Sequence, residues 1–150
     1  MPMLFSLLAA ALLVAAAVTD LGWRRIPNAL VLALAALGRV RLGFAFAEGA
    51  PVAGLAADLV ACLVLLVLGA LAFQARILGG GDVKLLAAAA LWVGLSGLMP
   101  FLMRTALAGG LLAVALIIWG LARREKARQA SLPYGVAIAV GGVLTIFAHP

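Results

Sequence analysis

Two aspartates, Asp20 and Asp82, are the residues of this chain best placed to do chemistry. Asp82 belongs to the run GGGDVK at residues 79–84, where glycines, an acid and a base fall together between two long apolar stretches. When two carboxyl groups share a site, their charges resist double ionisation, so one keeps a proton as an acid while the other acts as a base on water. A pair of this kind hydrolyses a peptide bond without a metal, a serine or a cysteine.

The glycines beside Asp82 suit such a site. Gly79 and Gly81 have no side chain, so the backbone there lets a substrate approach closely and adopts strained dihedral angles. A simpler interpretation is also open, in which the glycines form a helix-breaking loop and Asp82 is the N-cap of a helix that starts at Val83. Asp82 is thus either a catalytic acid or a helix cap, and other features of the chain are needed to distinguish these two roles.

The composition indicates an integral membrane protein. Of the 150 residues, 67% are hydrophobic and only 11% are charged, whereas an ordinary soluble domain is about half apolar and a quarter charged. At ~20 residues for each spanning helix, we expect about six transmembrane helices in one all-α domain over residues 1–150. The net charge of +6 suits membrane topology and contact with anionic lipid, and is not a nucleic-acid signal.

The chain offers little for a metal or a disulfide. Cys62 is the single cysteine and His149 is the single histidine. One cysteine forms neither an internal disulfide nor a paired-cysteine metal site. No metal and no cofactor are therefore predicted.

The apolar runs predict helices at residues 4–18, 29–46, 52–73, 83–95, 101–121 and 132–147, with a turn at residues 96–100. Pro27 suits the first turn of the second helix. No Lys or Arg precedes the first apolar run, whereas Arg24 and Arg25 follow it. This asymmetry favours an uncleaved helix with its N-terminus outside over a cleaved signal peptide.

The positive charges support six spans with both termini outside. The proposed inner segments hold eight of them: Arg24, Arg25, Arg76, Lys84, Arg123, Arg124, Lys126 and Arg128. The outer side holds three: Arg39, Arg41 and Arg104. Arg39 and Arg41 are expected to snorkel to the outer surface.

Under this topology Asp20 and Asp82 both lie at the cytoplasmic boundary. Asp58 lies inside the third helix and is expected to form a salt bridge with Arg104, Arg39 or Arg41.

Three motifs in chain order resemble those of the type IV prepilin peptidases. The run at residues 79–84 is similar to the GxGDxK form of the GxGD motif of intramembrane aspartyl proteases. Asp20, with the trailing Ile-Pro-Asn at residues 26–28, resembles the first catalytic-aspartate motif of that family. The run PYGVA at residues 133–137 is similar to the family's Pro-Tyr-Gly-Pro-Ala, with Val136 in place of the second proline.

The resemblance implies a six-helix aspartyl endopeptidase of the bacterial cytoplasmic membrane. Asp20 and Asp82 would be catalytic and would cleave the leader from prepilins or pseudopilins at the cytoplasmic face. Other residues would bind substrate or shape the site: Gly79, Gly81, Lys84, Pro27, Asn28, Pro133, Tyr134 and Gly135. Among them, Lys84 is expected to be an interfacial anchor and not a direct partner of Asp82, since residues two apart on a helix point roughly 200° apart. Tyr134 either lines the site or lies at the membrane interface, with the interface slightly favoured.

The larger, bifunctional members of the family carry an extra cytoplasmic domain that methylates the new N-terminus, often with paired cysteines. With 150 residues and one cysteine, this chain is expected to have no methyltransferase domain. It is more similar to the short, peptidase-only forms of tight-adherence (Flp) pilus systems. The oligomeric state is left open.

Two other functions remain alternatives. In a small ion-coupled transporter, Asp20, Asp58 and Asp82 would bind ions, but that class predicts broken helices at the midplane and usually an internal repeat, and neither is visible in the sequence. In a structural subunit of a secretion or pilus assembly, Asp82 would only cap a helix. Asparagine caps as well as aspartate, so that alternative predicts that Asp→Asn changes are tolerated.

Overall fold

A computed structural model describes residues 3–122 and 133–148. This part of the chain is all-helical, with α1 (Met3–Trp23), α2 (Asn28–Ala47), α3 (Val52–Gln74), α4 (Gly80–Ala122) and α5 (Tyr134–Ala148). The first four helices are long and apolar enough to cross a membrane, and α5 is a shorter apolar helix. The prediction of an all-α membrane protein is confirmed. The predicted basic loop at residues 123–128 lies outside the described residues.

Two predicted boundaries are wrong. Helix α1 continues past Asp20 to Trp23, and the N–H of Arg24 donates to the carbonyl oxygen of Asp20 over 2.9 Å to complete its last turn. The predicted turn at residues 96–100 is helical, and the break in α4 falls earlier, at Gly94, with φ 70° and ψ 179°. Glycine adopts this conformation without the steric cost that a side chain would bring, so the chain turns at the glycine.

The part of α4 before Gly94, named here α4a (residues 80–93), runs antiparallel to α3. Near the beginning of α4a, Val83 packs against Gly69, which lies near the end of α3. Just beyond its other end, the N–H of Leu95 donates to Asp58, which lies near the beginning of α3.

The part of α4 after Gly94, named here α4b (residues 95–122), runs antiparallel to α5. Gly97, near its start, packs against Thr145 near the end of α5. Gly109, further along α4b, packs against Ala137 near the start of α5. Each part of α4 therefore has its own antiparallel neighbour.

The chain reverses its direction at Gly94. Helix α2 is antiparallel to α1 and parallel to α4a, whereas α5 is antiparallel to both α1 and α4b. These directions follow from four contacts: Phe5 with Phe44, Ile26 with Gly81, Leu91 with Gly38, and Leu13 with Gly142. Since α4b is parallel to α1 and α4a is antiparallel to it, α4 is a helical hairpin, and the described chain contains six helical segments.

An ion pair between Arg41 of α2 and Asp58 of α3 supports this reversal. Arg41 Nη2 lies 2.5 Å from Asp58 Oδ2 and also donates to the carbonyl oxygen of Leu91 over 3.4 Å. Asp58 Oδ1 accepts the N–H of Leu95 over 2.7 Å. The cation thus meets the carboxyl end of α4a and the anion meets the amino end of α4b, which is the favourable arrangement for both helix dipoles.

The predicted salt bridge of Asp58 is confirmed, with Arg41 as its partner. The side chain of Arg41 is 23% exposed and lies between α3 and α4, and its reach to the outer surface stays a prediction. Arg39 is exposed. Arg104, the third candidate, instead donates to the hydroxyl of Thr145 over 2.9 Å.

Small residues let α5 approach its neighbours closely. A Cβ at Gly142 would lie 2.7 Å from Leu13 Cδ1 of α1, and one at Gly141 would meet the Thr105 backbone N of α4b at 2.7 Å. Helix α5 is therefore held against both helices along its length. This packing brings the start of α5 to Asp20 at the end of α1.

Candidate active site

Asp20 lies near the end of α1 and is 7% exposed. Its Oδ2 accepts the backbone N–H of Gly135 over 2.9 Å. Gly135 is in the first turn of α5, where N–H groups have no partner within the helix, so the carboxyl group completes the start of α5. A Cβ at Gly135 would lie 2.8 Å from Asp20 Oδ2 and 3.0 Å from its Cβ and Cγ. Glycine is therefore the residue that permits this approach.

Asp82 is the third residue of α4 and not its N-cap. The helix begins at Gly80, and the N–H of Gly79 donates to Asp82 Oδ2 over 3.2 Å. This is the backward reach of an acidic side chain in a capping box. Asp82 Oδ1 is buried and has no hydrogen-bond partner within the described part of the chain. The capping interpretation thus accounts for one oxygen of Asp82 and leaves the other without a structural role.

Asp20 and Asp82 line the same cavity, which has a volume of about 880 Å³. The two carboxyl groups are close enough to interact electrostatically, and the N–H of Gly135 faces Asp82 as well as Asp20. The other lining residues come from the ends of α1 and α3, the loop after α3 and the start of α5: Arg24, Phe73, Gln74, Arg76, Ile77, Leu78, Gly79, Pro133 and Tyr134. Chain segments that are distant in sequence thus meet at one site.

The structure shows whether several other residues that were expected at the site line the cavity. Gly79, Pro133 and Tyr134 line the cavity, and the interface position of Tyr134 stays a prediction. Gly81 does not line it but packs on Ile26, which a Cβ at Gly81 would meet at 3.3 Å. The close packing of α4a on the loop after α1 accounts for that glycine.

Pro27 lies at the N-cap position of α2, which begins at Asn28, and the carbonyl oxygen of Pro27 accepts the N–H of Leu30 over 3.1 Å. Lys84 Nζ donates to Asn28 Oδ1 over 3.3 Å. Sequence reasoning placed Lys84 as an anchor at the interface and did not foresee this pair. The hydrogen bond links the helix that carries Asp82 to the loop that follows Asp20.

Sequence reasoning also missed the two arginines of the cavity wall. Arg24, with φ 50°, and Arg76, with φ 59°, both have a left-handed backbone conformation. Each follows the end of a helix, and those ends lie on the side of the molecule that holds the aspartates. The signal in the sequence that could have indicated these two cavity residues was their shared position after α1 and α3. Both residues were counted only as topology signals.

The fold and the site define a class. The chain is a helical membrane protein whose paired carboxyl groups, from two different helices, line a cavity that also holds arginine and aromatic side chains. In residues 3–122 and 133–148, no three His, Cys, Asp or Glu side chains lie together as metal ligands would. Carboxyl pairs of this kind perform acid and base chemistry on water.

Comparison with known proteins identifies the family. The model of the type IV leader peptidase family matches residues 7–114, and the chain belongs to that family. Over 70 residues the chain is 36% identical to the prepilin leader peptidase/N-methyltransferase of Xanthomonas campestris pv. campestris. That similarity covers 47% of this chain and 23% of the relative, so the chain matches less than a quarter of the relative's length. No solved structure matches the chain.

Proposed function

We propose that this protein is a membrane aspartyl endopeptidase that removes the leader peptide from prepilin-like proteins, with Asp20 and Asp82 as its catalytic residues. The observation that carries the proposal is that α1 and α4 bring both carboxyl groups to one cavity, where each has one oxygen bonded to the backbone at a helix start. Both aspartates lie within the region that matches the leader peptidase family.

In the proposed reaction, the ionised carboxyl group takes a proton from a water, and the water oxygen attacks the carbonyl carbon of the scissile peptide bond. The protonated carboxyl group gives its proton to the carbonyl oxygen, which yields a tetrahedral intermediate. The carboxyl group that took the proton from water then gives it to the amide nitrogen as the C–N bond breaks. The other carboxylate takes a proton from a hydroxyl group of the intermediate as the new carbonyl forms, so the pair again holds one proton. Gly135 would hold Asp20 in place through its N–H, and Gly79 would hold Asp82 in place through its N–H.

We also propose that the chain crosses the membrane six times, with both termini outside and the site at the cytoplasmic face. The reversal at Gly94 supports this proposal, because it makes two crossing segments out of the 43 residues of α4. The excess of Lys and Arg in the inner segments gives the orientation. Helix α5, with 15 residues, rises only about 22 Å, so the bilayer would thin or α5 would sit partly within the protein.

The substrate class follows from the family and from the relative in Xanthomonas campestris, whose name is that of a prepilin leader peptidase. We propose prepilins or pseudopilins as substrates and the bacterial cytoplasmic membrane as the location. That the pilus is of the tight-adherence (Flp) type stays a prediction from the sequence, since neither the fold nor the comparisons bear on it.

The test is cleavage of a purified prepilin by Asp20→Asn and Asp82→Asn variants in detergent or liposomes, normalised to folded enzyme. Asparagine keeps the size of aspartate but cannot act as a base, so each variant should lose cleavage. Because the two groups act as a unit, the double variant should be no worse than either single one. Glu48→Gln, an isosteric change in the exposed connection between α2 and α3, is the control. Near-normal cleavage by either aspartate variant would refute the proposal.

A further inference from the structure

Arg76 occupies a position where glycine is favoured. It follows the C-cap residue Ala75 of α3 with φ 59°. The N–H of Arg76 donates to the carbonyl oxygen of Phe73, and the N–H of Ile77 donates to that of Ala72, both over 2.9 Å. These two bonds are the Schellman motif, whose left-handed residue is usually glycine because a side chain adds a steric cost. Arg76 therefore occupies a position where glycine would make the end of α3 more stable.

Arg76 lines the cavity that holds Asp20 and Asp82. Several other described cations have partners: Arg41 pairs with Asp58, Lys84 bonds Asn28, and the charge of Arg24 acts on Asp20. Among the described residues, no acidic group forms an ion pair with Arg76. Arg76 thus brings a positive charge to the wall of the cavity, where it attracts an anionic group of a ligand.

We propose that Arg76 is a specificity residue that binds a carboxylate side chain of the substrate peptide, close to the bond that is cut. This inference rests on the proposed peptidase function. A guanidinium binds a carboxylate through two parallel N–H donors, which fixes direction as well as charge. A peptide rather than a lipid headgroup is favoured, because Arg76 shares one cavity with both proposed catalytic groups.

The size of the cavity limits where the carboxylate lies. A volume of about 880 Å³ corresponds to a width of about 10 Å, and an extended chain covers about 3.3–3.6 Å per residue. The acidic residue should therefore lie within about three residues of the cut. Phe73, Ile77 and Leu78 form apolar wall beside Arg76, so apolar residues are expected next to it in the substrate.

The first experiment uses Arg76→Gly in the full-length enzyme, with Arg25→Gly as the matched control. Arg25 also lies after α1 on an exposed surface but does not line the cavity. Arg76→Gly relieves the left-handed strain, so the variant should melt at the same temperature as wild type or higher. Its KM for the prepilin should nevertheless rise about ten- to a hundredfold, with kcat little changed, since a charge-assisted hydrogen bond is lost. An unchanged KM would overturn the inference.

The second experiment reverses the charges. Each Asp or Glu within three residues of the cut in a prepilin that wild type cleaves is changed in turn to Lys. One of these Lys-substituted substrates should be cleaved poorly by wild type and well by Arg76→Glu. The other Lys-substituted substrates should be cleaved no better by Arg76→Glu than by wild type. Failure of every pair to exchange would overturn the inference.

Two further outcomes separate the possible causes. If the KM of Arg76→Gly rises equally for prepilins with and without the acidic residue, and replacing anionic-lipid vesicles by vesicles of phosphatidylcholine alone raises the wild-type KM in the same way, Arg76 binds an anionic lipid headgroup and the inference is wrong. Asp20→Asn is assayed beside these variants. Cleavage by Asp20→Asn contradicts the peptidase proposal itself, whereas an inactive Asp20→Asn beside a normal Arg76→Gly contradicts only the inference about Arg76.

Discussion

Gly135→Ala tests whether the start of α5 positions the proposed catalytic Asp20. The added Cβ would lie 2.8 Å from Asp20 Oδ2, whereas ordinary contact begins at 3.4 Å. The carboxyl group or the helix must therefore move by about 0.6 Å, taken as the difference of these two distances. The hydrogen bond from the Gly135 N–H to the carboxyl group would lengthen from its present 2.9 Å.

The size of the effect follows from two independent estimates. A displacement of about 1 Å in a catalytic group costs on the order of a hundredfold in rate. Loss of a hydrogen bond to a charged group costs about 1.5–3 kcal/mol, or roughly ten- to a hundredfold. We therefore expect kcat to fall about ten- to a hundredfold, with KM changed much less, because the substitution acts on Asp20 and not on substrate contacts.

The assay is steady-state cleavage of a purified prepilin in liposomes, with the folded fraction measured by thermal melting. Gly110→Ala in α4b is the matched control, because a Cβ there meets nothing within 4 Å. Alanine is the better helix former by roughly 1 kcal/mol, so the control should keep its activity and melt no lower than wild type. A folded Gly135→Ala enzyme with wild-type kcat would show that the contact between Gly135 and Asp20 does not position the site.

Two further predictions concern the frame around the site. The first prediction concerns topology and uses single cysteines at Gly22 and Gly80, in a background where Cys62 is alanine. Both should react with a membrane-impermeant reagent from the same side of the membrane. Reaction from opposite sides would mean that α2 or α3 does not cross the membrane. For the reversal at Gly94, Asp58→Asn should lower the free energy of unfolding by roughly 1.5–3 kcal/mol, because the charged partner of Arg41 is lost, while cleavage per folded molecule is kept. A large loss of activity in fully folded Asp58→Asn would contradict a purely structural role for the ion pair.

The sequence predicted the parts of this protein that depend on local pattern. Apolar runs gave four helices to within a few residues at most ends, since a helix in lipid must satisfy its backbone within one continuous segment. Asp20 and Asp82 were predicted as catalytic residues because acids at a membrane boundary are costly unless they serve a function, and because their motifs resemble those of the prepilin peptidases. The predicted turn at residues 96–100 was wrong, because the break in α4 lies at Gly94.

The features that sequence reasoning missed depend on tertiary contacts. The partner of Arg41 lies 17 positions away on α3, and Lys84 bonds Asn28 across 56 positions. No periodicity in the chain reports which of several cations meets a given acid. Arg76 was likewise counted as a topology signal, because its left-handed backbone appears only once the end of α3 is fixed.

Both carboxyl groups of the site accept backbone N–H groups at helix starts, and this explains where the small residues lie. Asp20 Oδ2 accepts an N–H in the first turn of α5, and Asp82 Oδ2 accepts the N–H just before α4. Each bond uses a donor that a helix leaves unpaired, so each carboxyl group is oriented through one oxygen. The hydrogen bond from Gly135 to Asp20 depends on how closely α5 packs on α1, at Gly142, and the approach of Asp82 to the end of α1 depends on how closely α4a packs on the loop after α1, at Gly81. Substitution of either glycine should therefore disturb the site from a distance, because a Cβ at Gly142 would separate α5 from α1 and a Cβ at Gly81 would separate α4a from that loop.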